Sequence, residues 1–218
     1  MCRSVECVNS YHGTATVPDQ GEPQIMTGST TPDLETVVDQ PDEQFRKNLG
    51  PALDGVDDED DLGELLVTQP TAFERLTERM ATFDEITAFA NDDPETVEQY
   101  LTVLWDGMGL IAENISAVGD AVTVDTVVNW AATDSPIAFH ADTDPETSSI
   151  SGGPGLADDP EITFEGQTEV LFRMLGDDEF NGQLAFVQNR FDIIGPLERS
   201  REFNDMMEAV SEEMEALA

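Results

Sequence analysis

The residues best suited to hold a metal or act as nucleophiles are Cys2, Cys7 and His12, all close to the N-terminus. A zinc site takes four ligands, usually as two spaced pairs, and no second pair follows here. Their surroundings, rich in Gly, Thr and Pro, fit two exposed thiols on a tail, so no metal is expected. His140 is the only later histidine. It alternates with Phe139 along a strand pattern, which turns it to solvent and suits a surface residue better than a general base. Gly152-Gly153-Pro154-Gly155 lacks the lysine and the Ser/Thr hydroxyl of a phosphate loop and reads as a polar turn between strands. No GxSxG, HExxH, GxGxxG or Walker pattern occurs. Carboxylates are so numerous that no chosen pair of them carries information. The expectation is a protein with no catalytic residues, no metal and no cofactor.

Charge excludes further classes. The 218 residues carry 47 Asp and Glu against 9 Lys and Arg, a formal net charge of −38. Binding to nucleic acid by counterion release needs clustered Lys and Arg, so a nucleic-acid partner is excluded, and adsorption to an anionic membrane is disfavoured. No apolar run reaches the roughly 18 to 20 residues of a transmembrane helix, and the opening MCRSVECVNSYHG is no signal peptide. The bases are eight arginines and one lysine, Lys47. Acid spread over the surface with lysine removed is how proteins of salt-saturated cytoplasms stay soluble. At molar salt the Debye length is roughly 3 Å, so self-repulsion is screened. The reading is a halophilic, cytoplasmic protein of haloarchaeal type, whose charge says little about partners.

The elements that must position any site begin at Pro70. Residues 1–69 show no sustained period, many Pro and Gly, and the like-charge block Asp57-Asp58-Glu59-Asp60-Asp61, so they read as an acidic, largely disordered extension rather than a calcium loop. Short apolar pieces within it, Leu34 to Val38 and Gly63 to Val67, have the composition to dock on a domain. Residues 70–218 form that domain. Thr71 and Glu74 make a capping box, and Phe73, Leu76, Met80, Phe83 and Ile86 recur at helical spacing. Asp93-Pro94 opens a second helix with a stripe of Val97, Tyr100, Leu101, Leu104, Met108, Ile111 and Ile115, stopped by Gly119.

The period then switches to two. Val122, Val124, Thr126, Val128 and Trp130 face one way, with Thr123, Asp125 and Asn129 opposite. A turn at residues 132–135 leads to a second strand through Ile137, Phe139 and Ala141, a hairpin. Residues 146–151 suggest a third strand, and Ile162 with Phe164 a fourth. Thr168 opens a helix with Val170, Leu171, Met174 and Leu175 inward, ending at Gly176. A shorter helix holds Phe180, Leu184 and Val187, residues 190–194 form a last strand, and a final helix carries Phe203, Met206, Met207, Val210, Met214 and Leu217. That order is α+β with an antiparallel or mixed sheet covered by helices.

The stretch Ile162-Thr163-Phe164, Gln167 to Gly176, Phe180, and Phe186-Val187-Gln188-Asn189-Arg190-Phe191-Asp192-Ile193-Ile194-Gly195 resembles the sterol carrier protein family. Its order is strand, helix ending before glycine, short helix, strand ending in glycine, last helix. Asn189 stands where the family has its first late glycine, and Pro196 where it has aspartate. With the hairpin, the likeness covers about residues 90–218. It implies a five-stranded sheet covered by helices and enclosing an apolar tunnel, with no catalytic residues. The ligand contacts it implies are apolar: Phe164, Leu171, Met174, Phe180, Leu184, Phe186, Phe191, Phe203, Met206, Met207 and Val210.

Met and Phe at helical spacing are first of all core, but Met also lines adaptable apolar pockets. The leading expectation is therefore a non-enzymatic carrier of an apolar lipid: fatty acyl, isoprenoid or quinone-like. The alternative keeps the fold with a filled core, as an accessory subunit engaging a protein partner or a second copy. A small enzyme working through its carboxylates ranks last, for want of a positioned nucleophile or base.

Overall fold

Apolar residues four apart build helices well before Pro70. The computed structural model describes residues 33–56, 59–177 and 179–216, all within one unit spanning Thr31–Ala218. Three helices occupy what the sequence suggested was an extension: α1 (Leu34–Val38), α2 (Asp42–Leu53) and α3 (Glu59–Thr68). Phe45, Leu49 and Leu53 line one side of α2, and with Leu34, Val37, Leu62 and Leu65 they are buried in the common core. The extension reading is corrected for this stretch. Acidic and proline residues mask the period: Pro41 sits at the N-cap of α2, and Pro51 lies inside it. Residues 1–32, with Cys2, Cys7 and His12, lie outside the described residues, as do Asp57, Asp58 and Leu217.

Arginines fasten these helices to α4 (Pro70–Ala81) and α5 (Ile86–Asp92). Arg75 pairs with Asp39, Arg79 with Asp42, and Arg46 with Glu85 and Asp92. Arg79 also lies over the rings of Phe45 and Phe83, and Arg46 over Phe89, so each head is both paired and packed. The capping box does not form. Pro70, whose fixed φ and missing N–H suit a first turn, starts α4 two residues early, with Gln69 rather than Thr71 at the N-cap.

Helix α6 (Pro94–Asn114) opens as expected: the Asp93 carboxylate accepts from the Thr96 N–H and hydroxyl. It ends before Gly119, which lies inside α7 (Ser116–Ala121). That glycine marks close approach instead, since a Cβ there would sit 2.7 Å from the Ala112 carbonyl oxygen.

Strands β1 (Thr126–Ala132), β2 (Ala138–Asp144), β3 (Ser149–Pro154), β4 (Ile162–Gly166) and β5 (Phe191–Ile194) form one sheet in the order β3-β2-β1-β4-β5. Every pairing is antiparallel except β1 with β4, which is parallel, so the sheet is mixed. The expected polar turn at 152–155 is corrected. Gly152, Gly153 and Pro154 pair with Ala141, His140 and Phe139, and the turn lies at 145–148, where Asp144 accepts from Glu146 and Thr147. Gly152 is required there, because a Cβ would fall 2.4 Å from the His140 carbonyl oxygen and 2.8 Å from the Trp105 ring.

After β4 come α8 (Thr168–Gly176), α9 (Gly182–Val187) and, beyond β5, α10 (Leu197–Glu215). One sheet face presents Trp130, Phe139, Ile150, Ile162, Phe164 and Phe191 to the helices. The opposite face presents exposed Asp142, Ser151, Glu165 and Asp192.

Candidate functional site

Alternation along β1 and β2 sends Trp130 and Phe139 to the helical face, and Trp130 becomes the centre of an aromatic layer. Its ring stacks on Phe139 at 5.0 Å and on Phe164 at 5.7 Å, and meets Phe203 of α10 at 5.8 Å and Trp105 of α6 at 5.9 Å. Phe139 touches Phe172 of α8. From Phe164 the contacts run outward to Phe191 at 5.9 Å and on to Phe186 of α9 at 5.8 Å. Offset and edge contacts of this kind add about 0.5–1.5 kcal/mol per pair beyond area burial.

Three local devices hold the helices around this layer. Asp134, in the β1–β2 turn, accepts from the Thr168 N–H at 2.8 Å and from its hydroxyl at 2.7 Å, a cap for α8 supplied from elsewhere in the chain. Arg199, at the start of α10, pairs with Glu161 at 2.8 Å and donates to the Asp125 carbonyl, tying α10 to the starts of β4 and β1. Arg199, with a hydrogen bond from Thr126, holds the Glu161 carboxyl below its ordinary value. Arg173 of α8 pairs with Asp177 at 2.6 Å and covers the Phe180 ring.

The residues expected to contact a ligand divide by depth. Phe164, Leu171, Phe191, Phe203, Met206 and Val210 are buried in the layer. Met174, Phe180 and Met207 are partly buried against it. Leu184 and Phe186 face outward, 53% and 38% exposed, and Val187, expected inward, is 76% exposed. Ala185 is the only buried residue of α9. The short helix is held by its Asn181 cap, by the Arg190 N–H to the Ala185 carbonyl, and by Phe186 on Phe191. Exposed Ile194 and Leu197 flank the next turn. Sequence reasoning left Trp130, Phe139 and Phe172 out of the candidate set, although strand alternation already turned the first two inward.

Polar groups near the layer are few. The Tyr100 hydroxyl is buried beside Thr77, and burial pushes its ionisation far above the phenol range. On the open sheet face, the His140 Nδ1 donates to the Gly155 carbonyl at 3.0 Å. Asn129, expected to point to solvent, is 3% exposed: its amide donates to the Ala157 carbonyl and accepts from the Ala157 N–H. Together the apolar side chains form one layer, covered at its outer end by the six residues of α9.

These features define an α+β domain with a five-stranded mixed sheet, helices on one face, and an apolar layer between. Neither a family model nor a curated protein matches the sequence. Among solved structures, the chain is similar to a "UbiJ-SCP2 Ubiquinone synthesis protein" at 10% identity and a TM-score of 0.40, covering 55% of this chain and 93% of that one. It is similar to Sterol Carrier Protein 2 from Yarrowia lipolytica in its apo form, at 11% identity and a TM-score of 0.40, covering 50% and 91%. Against the stereoselective inverting sec-alkylsulfatase Pisa1 from Pseudomonas sp., identity is 9% and the TM-score 0.38, and the chain spans 33% of that protein's length. Likeness of this degree carries no argument about function, which rests on the side chains of this chain.

Proposed function

We propose that the protein is a non-enzymatic binder and carrier of an apolar lipid chain, acyl, isoprenoid or quinone-like, held between the helical face of the sheet and helices α8–α10. One observation carries this reading. Apolar side chains run without polar interruption from the exposed face of α9, through Phe186, Phe191 and Phe164, to Trp130 in the centre. The cover at the outer end is a six-residue helix with one buried residue. Each CH₂ removed from water contributes roughly 0.8 kcal/mol, which gives affinity with little head-group selectivity.

A second reading keeps the ligand out. The unbroken ring contacts around Trp130 are those of a filled core, which would make the protein an accessory module for a protein partner. Met207, partly buried on α10 between the two regimes, separates them. In the carrier, Met207→Trp occupies ligand space, so binding of a fluorescent acyl or isoprenoid probe weakens while the melting temperature barely moves. In a filled core the same change overpacks by about 1–3 kcal/mol, and the parent protein binds no probe. Lipid extraction and native mass spectrometry of protein purified in molar KCl supply the ligand's identity. Absence of both co-purifying lipid and probe binding refutes the carrier. Among the described residues no helix is long and apolar enough to cross a membrane.

A further inference from the structure

Residues 180–191 contain no Asp or Glu, in a chain where 47 of 218 residues are acidic. The stretch holds all of α9, and its polar side chains are the neutral amides of Asn181, Gln183, Gln188 and Asn189, with Arg190. Among the described residues seven large apolar side chains are exposed, and three of them, Leu184, Phe186 and Val187, belong to this one short helix. Leu184 and Val187 are three apart, so they sit side by side on one helical face. The other four, Val67, Leu156, Ile194 and Leu197, lie outside α9.

Charge and size together select what such a face can meet. Of the described acids nearest in the chain, Asp177 pairs with Arg173, Glu169 pairs with Arg190, and Asp192 lies on the open face of the sheet. Glu179 is exposed, before Phe180. A surface pressed against hydrocarbon must strip water from every charge it carries, at a cost of several kcal/mol each. The exposed face of α9 carries no acid to strip. A stable protein interface buries about 800 Å² on each side, some 20 to 30 residues, and three apolar side chains on six residues fall far short of that. A lipid interface asks for no matching shape and accepts shallow insertion of a few apolar side chains.

We propose that α9 docks the protein on the surface of a lipid bilayer, with Leu184 and Val187 inserted among the acyl chains and the flanking amides at head-group depth. Apolar burial supplies the attraction. The net charge of −38 supplies none, and in molar salt a Debye length of about 3 Å screens the repulsion of the remaining surface. Phe186 keeps its ring on Phe191, so the docked face continues through Phe191 and Phe164 to Trp130. The bilayer then stands at the outer end of the apolar layer, as source or acceptor of the bound chain. That purpose rests on the carrier reading, whereas the docking itself rests on α9.

The test floats the full chain with phosphatidylcholine vesicles on a density gradient in molar KCl. The parent should float with the vesicles. Leu184→Ser combined with Val187→Ser should lower partitioning about tenfold or more without moving the melting temperature, because both side chains already face solvent. The same change at Val67 and Leu156, exposed elsewhere, should leave partitioning unchanged. Val187→Trp should give a blue-shifted emission that brominated phosphatidylcholine quenches, while Trp105 and Trp130, 2% and 3% exposed, do not respond. No flotation of the parent, an α9 pair that floats like the parent, or an equal loss in the control pair overturns the proposal. A dimer formed without vesicles and abolished by the α9 pair overturns it in favour of a second copy. A parent that floats yet binds no acyl probe in solution upholds docking and removes the carrier; one that binds the probe and does not float does the reverse.

Discussion

If α9 is the cover over the apolar layer, weakening its one aromatic anchor should open the way in. Phe186 is 38% exposed, so about three-fifths of its surface is buried, with the Phe191 ring against it at 5.8 Å. Full burial of a Phe side chain is worth roughly 1.5–3 kcal/mol, so Phe186→Ala should cost about 1–2 kcal/mol of closure. At 1.4 kcal/mol per factor of ten, the open fraction of α9 rises about five- to thirtyfold. Exchange of the amides of Ala185, Gln188 and Arg190, bonded to Asn181, Leu184 and Ala185, should speed up by that factor. The association rate of a fluorescent acyl probe should follow it. Unfolded chains also lack the Phe186 contact, so global stability falls by the same amount, and a matched control is needed. Ile86→Val, in α5 and 1% exposed, removes about 0.5–1.5 kcal/mol of global stability and should leave both α9 exchange and probe association unchanged. If Phe186→Ala speeds α9 exchange but not probe association, the ligand enters elsewhere. If Ile86→Val speeds association equally, entry requires general loosening and the cover argument fails.

Two glycine substitutions should move stability in opposite directions. Gly152→Ala puts a Cβ against the His140 carbonyl and the Trp105 ring and should cost about 1–3 kcal/mol. Gly63→Ala, inside α3 with nothing within 4 Å of the new Cβ, should stabilise by about 0.5–1 kcal/mol; urea melts that fail to separate the two refute the close-approach argument. Because the Glu161 carboxyl is held low by Arg199 and Thr126, its stabilisation is present above the ordinary carboxylate range and lost as pH falls through its folded value. Parent and Glu161→Gln should therefore differ most near neutral pH and converge in acid, and a gap that widens in acid contradicts the assignment. With a net charge of −38, near-UV circular dichroism should fade on dialysis into dilute buffer and return in molar KCl; unchanged spectra at low ionic strength exclude the halophilic reading.

What the sequence disclosed was what short-range periodicity encodes. The stripe of Val97, Tyr100, Leu101 and Leu104 and the Asp93-Pro94 start gave α6, and alternation gave the β1–β2 hairpin. Helices α1–α3 were hidden because their apolar residues sit among acids and prolines that, by composition, read as chain with nothing to bury. What decides the matter is distant: Phe45 finds Phe83 at 5.6 Å, and Arg79 covers both. In α9, Leu184 and Val187 lie three apart and look like an inward face. Six residues are too few for a period to fix the face, and the docking of Phe186 on Phe191 turns the helix so that Leu184 and Val187 point out. Asn129 failed the same way. A polar residue at an alternating position reads as solvent-facing, while its partner is the backbone of Ala157, 28 residues on.

That asparagine also explains why the apolar layer is clear of backbone. Strand β3 ends at one edge of the sheet, and β4 lies beyond β1, so the connecting residues 155–161 must cross both β2 and β1. Crossing on the helical side would drive Asp158 and Asp159 among Trp130, Phe139 and Phe164, where unpaired carboxylates cost several kcal/mol each. The chain takes the open face instead. Asn129 satisfies both backbone groups of Ala157 and His140 takes the Gly155 carbonyl, side chains that alternation has already placed on that face. The Glu161 N–H then pairs with the Val127 carbonyl and delivers the chain to β4, where Arg199 ties it to α10. One polar strap thus fixes the parallel β1–β4 pair and leaves the opposite face apolar around Trp130, Phe139 and Phe164. With α6 closed on β3 through Gly109 and Gly152, the side of the layer with the thinnest cover is α9 over β5.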